Sequence, residues 1–220
     1  LLKGQIDLAE KNFKESFKLD NKFEDPIKNL YIICLKKKKY EEQLFFAKKL
    51  FELNSFNQSY NYLLGYAFEL NNNLKEAIEY YKKCIDLNGE DKKKALNNIG
   101  NIYDNQGNKK KALEYYEKSL KIAEEIEIKV LAVASYNNIG TIYNEQGNDE
   151  VALDYYKKGL KICGEINVLK YASVLYENIG FIYKDQGNYE KALEYLLKSK
   201  NIKQEINTIK GLDKTSKSLS

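Results

Sequence analysis

Apolar side chains recur three and four positions apart along most of this 220-residue chain, and the pattern itself repeats. Leu96, Ile99, Gly100 and Tyr103 fall on one face of a helix. After a Gln-Gly-Asn break at 106 to 108, Ala112, Leu113, Tyr116 and Leu120 fall on one face of a second. Forty residues on, the same series returns as Tyr136, Ile139, Gly140 and Tyr143 with Ala152 and Tyr156; after forty more it returns as Tyr176, Ile179, Gly180 and Tyr183 with Ala192. Thirty-five residues upstream stand Leu64-Gly65, Phe68, Ala77 and Tyr81. A weaker copy has Leu30-Tyr31, Cys34, Gln43 and Ala47, where Tyr and Gln replace small residues and packing should be altered. The pattern predicts a helix over 4–20, helix pairs over 24–54, 58–88, 93–127, 133–167 and 173–207, and the start of a further repeat over 209–220.

Glycine punctuates each unit in two ways. Gly107, Gly147 and Gly187 suit a left-handed helix end, and the asparagine after each can cap the next helix. Gly100, Gly140 and Gly180 fall inside a helix, where glycine costs about 1 kcal/mol against alanine, so a close approach of the partner helix is expected there. A hairpin of this size buries too little apolar surface to offset its ordering entropy. Stacked neighbours must complete the burial, which makes residues 1–220 a single solenoid.

The Leu/Ile-Gly pair, the tyrosine three residues later, and the following alanine and tyrosine resemble the tetratricopeptide repeat over nearly the whole chain. The forty-residue copies with Asn-Asn-Ile-Gly are similar to the longer repeats of kinesin light chains and of bacterial peptide-sensing regulators. The sequence departs from the family at the aromatic that often opens the first helix, here Leu96, Tyr136 and Tyr176, and at the absent unit-closing proline, which fits longer helices. The resemblance implies an all-α, right-handed superhelical solenoid of antiparallel helix pairs, with the first helix of each pair lining a concave groove.

Spacing places Tyr62, Tyr66 and Glu69, then Asn97, Asn98 and Asn101, then Asn137, Asn138, Thr141 and Asn144, then Glu177, Asn178, Phe181 and Lys184 on that face, a change from aromatic to amide-rich. Asn98, Asn138 and Asn178 occupy the same place in successive first helices, where the matching asparagine of the longer-repeat relatives holds the backbone of an extended peptide. A side-chain amide both donates and accepts, so it can pair with a peptide unit without reading its side chain. The same amides can instead bond within the helix array or face water. A few hydrogen bonds do not reach micromolar affinity, so apolar anchors are needed, and Tyr62, Tyr66 and Phe181 are the candidates.

Composition narrows the function. The sequence contains no His, Trp, Met or Arg, and 36 Lys stand against 32 acids. Without imidazole there is no Ser-His-Asp or Cys-His nucleophile and no common zinc site; without guanidinium there is no bidentate fork for phosphate or guanine. The reading is therefore a non-enzymatic scaffold for a protein or peptide partner, without cofactor or metal, and not a binder of nucleic acid. The alternatives are a ligand-sensing or peptide-sensing input region of a larger regulator, or a module that self-associates as a homodimer through exposed solenoid ends. The run Lys36 to Lys39 reads as a solvated turn, with an anionic contact as the other option. Cys34, Cys84 and Cys163 are widely spaced and read as small buried residues. No apolar run is long enough to insert in a membrane, and a cytoplasmic location is expected, although a start at Leu1 suggests a fragment.

Overall fold

The computed structural model describes residues 2–87 and 89–219, with side-chain surroundings for 4–87 and 89–209. The expected repeat start at 209–220 lies almost wholly outside the residues whose surroundings are described. The described residues form α-helices joined by short turns, with no strand among them: α1 (Leu2–Leu19), α2 (Glu24–Lys36), α3 (Tyr40–Leu53), α4 (Gln58–Leu70), α5 (Leu74–Asp86), α6 (Lys92–Asn105), α7 (Lys109–Glu125), α8 (Lys129–Glu145), α9 (Asp149–Ile166), α10 (Leu169–Asp185) and α11 (Tyr189–Leu219). They gather into two compact units, Leu1–Gln106 and Gly107–Ser220. In the first, each helix from α1 to α6 packs on the next; in the second, the same holds from α7 to α11. Helices α7 to α10 have 17 or 18 residues against 13 for α4 and α5, as the missing prolines imply.

The turns inside the pairs share one chemistry. At 38, 72, 107, 147 and 187 the backbone has positive φ, supplied by Lys38, Asn72 and the three expected glycines. The next amide then reaches back five residues, as in Lys39 to the Cys34 carbonyl (2.9 Å), Asn73 to Phe68 (2.9 Å), Asn148 to Tyr143 (2.8 Å) and Asn188 to Tyr183 (2.8 Å). This satisfies a carbonyl that the helix end would otherwise orphan. Asn108 and Asn188 then cap the following helix by accepting from the amides of Lys111 and Lys191, both at 3.2 Å, whereas Asn148 makes no side-chain cap. Pro26 sits in the first turn of α2, where a missing N–H costs nothing.

In the α4–α5 and α8–α9 pairs one large ring crosses the place of a missing Cβ, and in α10–α11 the Leu196 side chain lies over Gly180 instead. A Cβ on Gly65 would lie 2.8 Å from the Tyr81 ring, and one on Gly140 only 2.6 Å from that of Tyr156. In the α2–α3 pair the partners are exchanged: Tyr31 takes the glycine place and Ala47 the tyrosine place, both buried. The large and the small residue trade helices, which is the altered packing the sequence implies. Gln43, at the alanine place, is fully buried with neither amide atom in hydrogen-bonding geometry with a partner. Around these pairs the core of the first unit gathers Ile27, Leu30, Leu50, Tyr60 and Leu64, and that of the second Val133, Leu175, Ile179 and Ile182.

The lysine run is more than a solvated turn. Lys37 and Lys39 reach across to Glu10 of α1 at 2.5 and 3.2 Å, and Lys14 joins the same carboxylate at 2.7 Å; Lys37 also pairs with Asp7, and Glu42 bridges Lys14 and Lys39. At the other extreme, Tyr189, Leu193 and Leu197 form an exposed apolar stripe on α11. Leu193 is 60% exposed, while its counterpart Leu153 is 9% exposed.

Candidate functional site

In the first unit, α4 and α6 present the expected residues side by side, joined by α5. Gln58 at the start of α4 fixes this spacing: its amide donates to the Cys84 and Leu87 carbonyls at 3.0 and 2.6 Å and accepts from the Asp91 amide at 3.1 Å. Tyr62 and Tyr66, one turn apart, lie with ring planes parallel within 2° and centroids 6.5 Å apart, and both are half-buried. Lys94 stands 5.7 Å from the Tyr62 ring and is held by Asp91, which also accepts from the Ser59 hydroxyl at 2.7 Å.

The ring of Tyr81 passes over Gly65 and delivers its hydroxyl to this face. It donates to Glu69 at 2.6 Å and accepts from the Asn98 amide at 2.9 Å; the same Asn98 nitrogen lies 3.4 Å from the Tyr62 hydroxyl. A chain Glu69–Tyr81–Asn98–Tyr62 thus fixes the amide of the expected ladder. Burial pushes the Tyr62 phenol up to about 12 and the Tyr81 phenol far above its ordinary value, so both stay protonated donors at neutral pH. Burial also raises the Glu69 carboxyl, against the lowering effect of the Tyr81 hydrogen bond. Asn97 and Asn101 are half-buried on the same helix as Asn98.

In the second unit the amides bond to one another. Asn178 donates to the Asn137 side-chain oxygen at 3.0 Å, and Asn137 donates to that of Asn138 at 3.3 Å. Thr141 donates to the Asn137 carbonyl at 3.0 Å and lies 3.2 Å from the Tyr156 hydroxyl, so the ring over Gly140 again reaches this face. Phe181 is 45% exposed, Lys184 is exposed and Asn144 is half-buried. Glu177 turns toward α11 and pairs with Lys203 at 2.7 Å.

Spacing places Glu69 on this face without distinguishing it, and gives Tyr81 and Tyr156 only as positions of the repeat. The available signal was the glycine opposite each ring, since a helix without a Cβ there lets a phenol pass to its far side. All three cysteines are free and buried, with burial raising Cys84 to about 12 and Cys34 and Cys163 to about 11, so none is a ready thiolate nucleophile. Among the described residues no group of three or more Cys, Asp or Glu could hold a metal ion, and no helix is long and apolar enough to cross a membrane.

Two tetratricopeptide repeat family models match the chain, one over residues 91–165 and one over 58–91 and 174–206, together more than half of it. The chain belongs to the tetratricopeptide repeat family. Solved structures agree with that assignment. MamA is 25% identical over 76% of this chain and 93% of its own, with a TM-score of 0.64. BtubC (BKLC) from P. vanneervenii is 16% identical, covers 93% of this chain and 90% of its own, and has a TM-score of 0.74. YrrB, described as a TPR protein with an unusual peptide-binding site, is 20% identical over 86% of this chain and 91% of its own, at 0.57. No curated protein matches the chain in sequence. The tetratricopeptide repeats make this a protein-interaction scaffold with an all-α fold.

Proposed function

We propose that this tetratricopeptide repeat protein is a non-catalytic scaffold that binds an extended segment of a partner on the first-helix faces, α4 and α6 in one unit and α8 and α10 in the other. The observation that carries this is the fixed orientation of the half-buried face amides: Asn98 held by two tyrosine hydroxyls, and Asn178, Asn137 and Asn138 joined in a chain. Amides already oriented lose little entropy on meeting a peptide backbone. Tyr62 and Tyr66 supply apolar area in the first unit and Phe181 in the second; Asn97, Asn101, Asn144, Glu177 and Lys184 border them. The three buried thiols fit a reducing compartment, and the cytoplasm is the proposed location.

The test uses a displayed library of random peptides. Wild-type protein is expected to enrich a set of sequences, and Asn98→Ala/Asn138→Ala/Asn178→Ala to bind them at least about tenfold more weakly, from three bonds of about 0.5–1.5 kcal/mol each. Unchanged affinity for the same peptides would sink this reading.

A second reading rests on α11. Tyr189 and Leu197 occupy places that are Lys109 and Asp149, and Glu117 and Lys157, in the preceding second helices, and they flank the exposed Leu193. We propose that this stripe pairs two copies of the chain. Sedimentation is expected to show a concentration-dependent dimer that Leu193→Lys/Leu197→Lys abolishes; a wild-type monomer at every concentration ends the idea.

A further inference from the structure

The first unit contains one carboxylate treated differently from its neighbours. Two other acids of the unit withdrawn from water have lysine partners: the buried Glu10 has three, and the half-buried Asp91 has Lys94 at 2.8 Å. Glu69 is half-buried, and no lysine among the described residues comes within ion-pair distance of it; its hydrogen bond comes from the neutral Tyr81 hydroxyl. Water is partly removed from the charge, and no cation replaces it. Such a group costs free energy unless something arrives to pair with it.

What surrounds Glu69 defines what could arrive. Tyr66 is one helical turn before it and Tyr62 two turns before it on the same face of α4, with their rings parallel. Both phenols are raised in part by the charge of Glu69, which places that charge beside them. Ring faces carry negative potential and attract cations, most strongly where water is thinned. Aromatic faces beside an unpaired carboxylate form a receptor for a positive group on an otherwise uncharged stem. Lys94 stands over the Tyr62 ring at 5.7 Å, but its ammonium pairs with Asp91 at the start of α6 and leaves Glu69 without a cation.

We propose that Glu69, with Tyr62 and Tyr66, forms a subsite for a lysine or arginine side chain of the bound partner segment. This rests on the peptide-binding reading above and specifies one side chain of that partner. It also explains why the carboxylate persists among tyrosines: a glutamine there would keep the acceptor for Tyr81 and lose only the charge. The partner's backbone would then meet the Asn98 amide while its cation lies against Glu69, with only the Tyr81 hydroxyl between the two groups.

The experiment compares wild-type protein with Glu69→Gln on the displayed library of random peptides. Wild type is expected to enrich peptides with a lysine or arginine at a recurrent position, and Glu69→Gln to lose that preference while still binding peptides. The best lysine peptide and its norleucine analogue are then titrated against both proteins. Replacing the lysine is expected to weaken binding to wild type about tenfold or more, and to Glu69→Gln hardly at all, so the two changes are coupled. A purely structural role for Glu69 would weaken both peptides equally.

A carbon-13 titration gives a further readout: the Glu69 carboxyl should ionise at lower pH when the lysine peptide is bound. Tyr31 of α2, Tyr40 of α3, Tyr81 of α5, and Asp91 and Lys94 at the α6 end are the titratable groups around this face, and they are followed in the same spectra. Enrichment without a basic preference, or equal losses in both proteins, overturns the subsite and leaves the peptide-binding reading standing. Absence of any enriched peptide overturns both. Thermal melts show whether Glu69→Gln remains folded; should it not, Tyr66→Leu replaces it with the same expected loss of basic preference.

Discussion

Tyr156→Ala is expected to destabilise the second unit by about 4 kcal/mol, and Gly140→Tyr by at least as much, yet the double variant should recover a large part of either loss. The first change empties a site in which a fully buried ring packs between two helices. The second drives a ring into that site while Tyr156 still occupies it, since even a bare Cβ on Gly140 would lie 2.6 Å from Cε1 of that ring. Together they rebuild the arrangement that Tyr31 and Ala47 already show in the first unit. Urea unfolding read by amide exchange in α8 and α9 measures all three. A double variant no more stable than its worse single parent would show that the exchange of partners depends on more than volume.

Removing the carboxylate that gathers the lysine run has the next largest effect. Lys14, Lys37 and Lys39 hold the Glu10 carboxyl down to about 2 from its ordinary 4.5. A lowered carboxyl stabilises the fold fully above the unfolded value and ceases to do so as pH falls through the folded one. Glu10→Gln should therefore cost about 2 kcal/mol at pH 7, less than the full shift implies because water reaches the lysines. Between about pH 4.5 and 2 the difference should vanish. Thermal melts of both proteins across that range decide it; a gap that persists at pH 2 would mean that packing, not charge, is what Glu10 provides.

The periodicity of this chain was a sufficient guide to its helix pairs because each unit writes the same geometry in the same places. Leu64, Ile99, Ile139 and Ile179 are all buried at the equivalent position, and Gly107, Gly147 and Gly187 all adopt positive φ. Partner-dependent features were less legible. Lys38 and Asn72 take the left-handed turn without glycine, a local cost of about 1–2 kcal/mol that neighbouring packing must outweigh, so composition alone does not announce it. The contact of Lys37 and Lys39 with Glu10 joins residues nearly thirty apart across a helix face. The face residues were legible as a set from their spacing. Their hydrogen bonds were not, because the Tyr81 hydroxyl reaches that face only by passing Gly65, and a helical wheel drawn for one helix does not show a ring arriving from another.

The exchanged ring in the α2–α3 pair also bears on how such arrays are inherited. A crossover between repeats at the turn would join α2, carrying Tyr31, to a second helix carrying Tyr81 or Tyr156, and two rings would compete for one space. The reciprocal product would set Gly65 or Gly140 opposite Ala47 and leave the space empty. Crossovers between whole pairs avoid both outcomes. The complete hairpin is therefore the smallest piece that can be exchanged between these pairs while keeping one ring at that place.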